Sequence, residues 1–393
     1  MQPAVVVGFA RTPFGRFLGS LKNVPAVELG AIAIEAALER AGVPKDRVDQ
    51  VLMGMVLQSG AGQIPSRQAT ISAGLPYTVP SDTLNKVCAS GLRAVNFGEV
   101  LIRTGQASIL VAGGMENMSA SPFLLQGARS GYRMGDARIV DAMIHDGLWC
   151  PFHNVHMGVH GSAVPAEHAV TRQSMDEWAL RSHRLAVDAM DNGSLAEEIV
   201  VVKTPGRNNK FELARCDELP RRDTSLEKLA QLPPAFEKGG LVTAGNAPGI
   251  SDGAAALVLT SKEKASDLGL EPLAEIVASG TASREPRYIA TVPYEASEIA
   301  LERAGLKAHQ LSLIEVNEAF AAVALTCIKL GGWNRDLVNV NGGAVALGHP
   351  IGASGARILL SLIAELRRRG GGYGLATICS GAAQGEATIV KVS

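Results

Sequence analysis

The sequence predicts an α/β protein built from two duplicated β-α-β halves with a loop-rich insert between them. Two internal matches carry that prediction. Residues 36–43 read AALERAGV and residues 299–306 read IALERAGL; ASGLRAV at 89–95 returns as ASGARIL at 353–359. The pairs stand 263 and 264 residues apart, so the copies keep register. A third observation is the alternation of short apolar β-rich runs with helical patterns, which implies parallel-type sheets covered by helices.

Each element follows in chain order. Ala4–Gly8 reads as a first strand. The glycines closing ALERAG are helix stop signals, and each is followed by an apolar strand run, Val48–Leu57 in one copy and Leu311–Val316 in the other. After each ASGxR helix comes another strand run, Ser108–Val111 and Gly374–Ile378. Ala387–Val392 reads as an edge or closing strand. The halves span residues 1–120, with part of 249–271 returning to the first, and 272–393. Residues 121–248 form the inserted loop domain. It is richer in charge, histidine and proline, holds one helical period at Ser174–Met190, and is expected to cover a site made by the two halves.

The chain has 393 residues, 47% hydrophobic and 19% charged, enough for two or three domains. Net charge is −1 and aromatic content 4%, which argue against a nucleic-acid backbone or base-stacking platform as partner. Arg367–Arg369 reads as helix C-terminal charge. No apolar run is long enough for a membrane span, and the N-terminus has no signal-peptide pattern. The C-terminal Lys-Val-Ser is no peroxisomal address. The five cysteines, an odd number without framework spacing, read as free thiols of a reducing, cytoplasmic compartment. No Cys/His cluster shows zinc spacing, so no metal is expected.

Cys88 directly precedes the first ASGxR helix. A helix N-terminus stabilises a thiolate, so its pKa is expected to fall; with the small residues Ala89, Ser90 and Gly91 beside it, it reads as a nucleophile rather than a buried apolar filler. His349 lies in the glycine-dense run NVNGGAVALGHPIGASGAR, beside the start of the second ASGxR helix. A pseudo-twofold would bring it to Cys88 as a base. Cys379 ends the run LATIC and reads as a general acid/base, a redox partner of Cys88 or an inert thiol. Asn317, in EVNEAF, is a turn or cap residue on spacing alone.

Together NKVCASGLRAV, AGGMENMS (112–119), TAGNAPGISDGAA (243–255), NEAF, NGGAVALGHPIGASGAR and the CSG loop resemble the thiolase family, in its order and over essentially the whole chain. The resemblance implies a thiolase-like, layered α-β-α-β-α core. It also implies acyltransferase activity, either acetyl-CoA C-acetyltransferase or 3-ketoacyl-CoA thiolase. Cys88 would carry the acyl group, His349 would activate it, and Cys379 would move the proton at the acetyl α-carbon. The N–H groups of Cys88 and Gly381 would form one oxyanion site; His349 and a water on Asn317 would form the other. CoA and acyl-CoA would be substrates, with no tightly bound cofactor and with a homodimer or homotetramer as the assembly. Residues 121–141 would supply a tetramer contact.

His156, beside Met157, matches a family residue near the pantetheine and acetyl end, and Arg221 one beside the adenine. Four departures bear on specificity. After Ala247, Pro248 replaces a serine that would bond the pantetheine arm. Ile289 replaces a pocket methionine. His160-Gly161-Ser162 stands where Thr-Ala-Glu is usual, and Ala382-Ala383 where glycines are common. An acyl partner that differs from plain acetyl, or that is loosely selected, is therefore expected. Two alternatives are a ketoacyl-synthase-like condensing enzyme, which would want two histidines or a His/Asn pair in place of His349 with Cys379, and a non-catalytic acyl-CoA-binding relative, which would have lost Cys88, His349 or Cys379.

Overall fold

The computed structural model describes residues 2–206 and 210–393. The elements that frame the site are β1 (Ala4–Arg11), α1 (Ala26–Ala41), β2 (Gln50–Gly54), β3 (Ser81–Leu84), α2 (Ser90–Arg103) and β4 (Ile109–Asn117). An excursion carries α3 (Met157–Glu167) and α4 (Arg172–Asp191). The chain then continues through β5 (Ser251–Ser261), β6 (Ala274–Ser283), α5 (Val292–Ala304), β7 (Leu311–Val316), α6 (Ala321–Gly331), α7 (Ser354–Arg368), β8 (Gly372–Ser380) and β9 (Gln384–Val392).

The strands lie in the order β7-β8-β9-β6-β1-β5-β4-β2-β3. Reading outward from the centre, β1-β5-β4-β2 is repeated by β6-β9-β8-β7. The pairing also repeats: antiparallel, antiparallel, then parallel. The two runs join where Ala4–Val6 pairs antiparallel with Ala274–Ile276. The duplication seen in the sequence is thus a duplication of sheet topology.

Three hydrophobic clusters show the layering. Leu29, Ile34 and Leu38 of α1 pack on Val5, Val111 and Val258 of the first run. Ala296 and Ala300 of α5, with Val323 of α6, pack on Ile314, Leu375 and Ile389 of the second. Between the runs, Leu92 and Ile102 of α2 pack with Ile358 and Leu362 of α7, and with Leu110, Leu257, Ile378 and Val390 of the strands. The order is therefore α-β-α-β-α. Each of the buried valine, leucine and isoleucine side chains among them contributes about 1.5–3 kcal/mol.

Several strand limits differ from those the sequence suggests. Val48–Leu57 is strand only over Gln50–Gly54, because the chain then leaves the sheet and gives the Val56 and Leu57 N–H groups to Glu116. The strand after α2 runs on to Asn117 through glycines of low β-propensity. Ala387–Val392 is no edge: it belongs to β9, which lies between β8 and β6 and is almost wholly buried. No helix among the described residues is long and apolar enough to cross a membrane.

Candidate active site

The duplicated helices α2 and α7 meet at their N-terminal ends, and glycine permits the approach. A Cβ on Gly91 would lie 2.9 Å from the carbonyl oxygen of Gly352 and the nitrogen of Ala356; one on Gly355 would lie 2.4 Å from the Leu92 nitrogen. The residues just before each helix are thereby brought together: Cys88 before α2, and His349 before α7. Both line one apolar cavity of about 360 Å³.

Cys88 sits on a tight turn. Val87 takes a left-handed φ of 45°. The turn is held by Ser90 Oγ, which accepts from the Lys86 N–H at 2.8 Å and donates to the Val87 carbonyl at 2.6 Å. Ser380, at the end of β8, donates its hydroxyl to the Lys86 carbonyl, tying the second half onto the turn. Lys86 Nζ also pairs at 2.6 Å with the buried Glu386, which accepts from Asn96 Nδ2 at 2.7 Å.

Burial pushes the Cys88 thiol up to about 12, while the N–H groups of Gly381 and of Cys88 itself, directed at the sulfur, partly offset this and nearby Glu116 adds to it. The lowering expected from the helix N-terminus is therefore overturned. At rest the group is a neutral thiol, because desolvation of the anion outweighs the backbone donors.

His349 is held from both sides. Its N–H donates to Ser251 Oγ at 3.0 Å. Its Nδ1 lies 2.6 Å from Ser354 Oγ, which itself donates to the Pro350 carbonyl at 3.0 Å. A Ser354 hydroxyl that donates there can accept from Nδ1–H, the tautomer in which Nε2 keeps its lone pair. Burial, and then the charge of Arg357, push His349 down to about 3, so the imidazole is neutral. Asn317 Nδ2 lies 3.5 Å from His349 Nε2. Asn317 is fully buried, and its Oδ1 has no hydrogen-bond partner among the described residues.

Cys379 is fully buried at the end of β8 and does not line the cavity. Its thiol is raised well above its usual value by burial, and then by Cys88 and Cys327 close by. Among the other residues singled out in the sequence, His156, Met157, Ala247, Pro248 and Ile289 line the Cys88–His349 cavity. His156 caps α3 by accepting the Gly158 N–H at 3.0 Å and stacks on Phe236 at 4.2 Å. Burial lowers it to about 4. Gly381 faces Cys88 from a second surface recess.

Arg221 is not in this cavity. It lines a neighbouring one of about 840 Å³, together with His183 and Lys228. Ala244, Ala247, Gly249 and Ile250 line both cavities. The two cavities adjoin, one lined by charged side chains and the other by apolar ones.

The sequence reading missed several contributors. Ser90 and Ser354 were visible as parts of the repeat, but their hydroxyl partners were not. Glu116 accepts three backbone N–H groups, from Val56, Leu57 and Gly352, which fastens the His349 loop to the first half. Burial nevertheless lifts its carboxyl to about 7. Linear spacing also gave no sign of one Cys/His group. The fold brings the ligating atoms of Cys150, His153 and His160 within 4.8 Å of one another. A hairpin and a helix start, rather than a zinc-finger spacing, create that group.

Comparison with known proteins agrees with this architecture. Residues 4–263 match the thiolase N-terminal domain and residues 270–392 the thiolase C-terminal domain. The acetyl-CoA acetyltransferase of Cupriavidus necator is 49% identical over 391 residues, covering 100% of both chains. That of Pseudomonas aeruginosa is 48% identical over 98% of each chain. That of Escherichia coli K12 is 47% identical over 100% of this chain and 99% of its own. With both domains matched in order, the duplicated sheet intact, and a cysteine and a histidine facing one cavity from the two copies, the chain belongs to the thiolase family.

Proposed function

We propose that the chain is an acyl-CoA:acetyl-CoA C-acyltransferase that cleaves and forms 3-ketoacyl-CoA through an acyl group on Cys88. The observation that carries this reading is the shared cavity of Cys88 and His349, with two backbone N–H groups aimed at the sulfur. His349 Nε2, kept bare by Ser354, takes the thiol proton as Cys88 attacks the keto carbon. The N–H groups of Cys88 and Gly381 receive the charge that develops on the acyl oxygen. The C2–C3 bond breaks, its electrons pass to the acetyl-CoA enolate, and Cys379 supplies the proton to the α-carbon. His349 and a water on the unpartnered Asn317 Oδ1 stabilise that enolate oxygen. The sulfur of CoA then displaces Cys88 from the acyl group, and condensation runs the same steps in reverse.

The adjoining cavities support a CoA thioester as substrate: the apolar one takes the acyl and pantetheine end beside His156, Met157, Ala247 and Pro248, and Arg221 in the charged one meets the nucleotide end. Pro248 lacks the donor a serine would give the pantetheine arm, and Ile289 gives the apolar wall a branched side chain. Both support an acyl partner that differs from plain acetyl or is loosely selected. The division into residues 1–120 with part of 249–271, 121–248 and 272–393 follows the sheet topology. A homodimer or homotetramer is supported by exposed apolar side chains on residues 121–141, among them Phe123, Met134 and Ile139. Cytoplasmic placement rests on five free thiols.

Intact-mass spectrometry after incubation with acetyl-CoA tests the roles. Wild type and Cys379→Ala are expected to gain an acetyl group, and Cys88→Ala to gain none. Cys379→Ala should neither cleave nor form the carbon–carbon bond. Failure of Cys379→Ala to acylate would overturn the division of labour between the two thiols.

A further inference from the structure

Outside the site described above, one cluster has the donor set and spacing of a metal centre. Cys150 and His160 are buried, and their ligating atoms lie within 4.8 Å of each other and of an imidazole nitrogen of His153. His153 Nδ1 lies 3.1 Å from His160 Nε2. Two nitrogens bound to one tetrahedral zinc at about 2.0–2.1 Å stand close to that distance apart. The rings cross at 86° with centroids 5.1 Å apart, so the nitrogens converge edge to face. The outer nitrogen of His153, Nε2, faces Glu285 Oε1 at 3.7 Å. A carboxylate behind a ligating histidine is the usual means of fixing its tautomer and orientation.

The donors are one thiolate and two imidazoles, which favour a borderline-soft ion over magnesium or calcium. They come from three structural pieces. Cys150 lies in the strand pair Trp149–Cys150 with Val155–His156, His153 in the turn between them, and His160 on α3. None of the three lines the Cys88–His349 cavity, but Leu148, His156 and Met157 of the same segment do. We propose that Cys150, His153 and His160 bind one zinc ion, with Glu285 orienting His153, and that the ion pins the hairpin whose end forms the wall of the acyl cavity. Three protein ligands leave a fourth position for water on the exposed side of His153.

The test uses the full chain carrying Cys88→Ala and Cys379→Ala, so that the active-site thiols cannot compete for metal. After chelator dialysis, the protein is titrated with Zn²⁺ against a metallochromic indicator, and separately with Co²⁺. One equivalent per chain is expected, with a thiolate-to-cobalt charge-transfer band in the near ultraviolet. Cys150→Ser should lose the band. His153→Gln, at an exposed position where folding is not at stake, should lose stoichiometric binding. Glu285→Gln should weaken it by about 10- to 100-fold. Hydrogen exchange in residues 149–156 should slow on zinc addition. Less than stoichiometric uptake in the Cys88/Cys379 background, or unchanged uptake in folded His153→Gln, would overturn the proposal and leave a His153–His160 hydrogen bond as the explanation of the cluster.

Discussion

His349 Nδ1 and Ser354 Oγ are joined at 2.6 Å, and a serine that donates to the Pro350 carbonyl at 3.0 Å is left to accept from the ring. The imidazole is thereby held in the tautomer that can accept a proton at Nε2. Ser354→Ala removes the acceptor and frees the ring to take the opposite tautomer. Its kcat should fall by about 100-fold, within the range a positioned general base supplies, with little change in KM. Steady-state rates on acetoacetyl-CoA check this. A kcat close to wild type would show that the serine does not set the tautomer.

Burial of a neutral His349 makes stability depend on pH. In the fold it is held at about 3, while in the unfolded chain it titrates near 6.5. Below pH 6.5 the unfolded chain takes up a proton that the folded one refuses, so stability falls as pH drops from 6.5 toward 3. The slope from this one group is at most about 1.4 kcal/mol per pH unit. Urea midpoints of wild type and His349→Gln at pH 7, 6 and 5 should converge or cross as pH falls. Parallel profiles would mean that His349 is not the linked group.

A neutral Cys88 has its own signature. With the thiol pushed up to about 12, inactivation of the free enzyme by iodoacetamide should accelerate steadily from pH 6 to 9. A preformed thiolate–imidazolium pair would instead give a plateau through neutral pH. Pseudo-first-order inactivation rates across that range separate the two.

Ala382 and Ala383 occupy left-handed backbone at φ 61° and 49° in the loop that presents Gly381 to Cys88. A Cβ there costs about 1–2 kcal/mol per residue, against which glycine's greater freedom in the unfolded chain is set. The double substitution to glycine should raise Tm by a few degrees, read by scanning calorimetry. A lowered Tm would show that the two methyl groups pack well enough to offset the strain.

Ile289 is nearly fully buried on the wall of the apolar cavity. Ile289→Ala should shift kcat/KM toward longer or branched 3-ketoacyl-CoA by about tenfold relative to acetoacetyl-CoA, the discrimination a few methylenes supply. A chain-length series on both proteins reads the shift. A strong wild-type preference for acetoacetyl-CoA would sink the inference drawn from Pro248 and Ile289.

The repeat made the meeting of Cys88 and His349 foreseeable, because register alone places them before equivalent helices. The sheet's pairing was not foreseeable in the same way: strand–helix alternation implied parallel-type sheets, but the strands at the centre of each run pair antiparallel through hairpins and returning segments. What stayed hidden depended on depth and side-chain direction. A helix N-terminus argued for a lowered Cys88 pKa, yet linear sequence carries no measure of how completely the sulfur is removed from water. Ala387–Val392 looked peripheral because it ends the chain, whereas its hairpin with β8 folds it back beside β6. Ser90 and Ser354 sit at equivalent places in the repeat, but one grips a carbonyl behind the cysteine and the other an imidazole. Cys150, His153 and His160 fit no zinc-finger spacing and converge only through the turn at 150–155.

Ala244, Ala247, Gly249 and Ile250 belong to the walls of both cavities, the apolar one at Cys88 and the charged one at Arg221. On the proposed function this division would sort a CoA ester by character, its acyl end on the Cys88 side and its nucleotide end on the Arg221 side. The length of the pantetheine arm would then work as a ruler, setting how far from Arg221 the reactive carbon can lie.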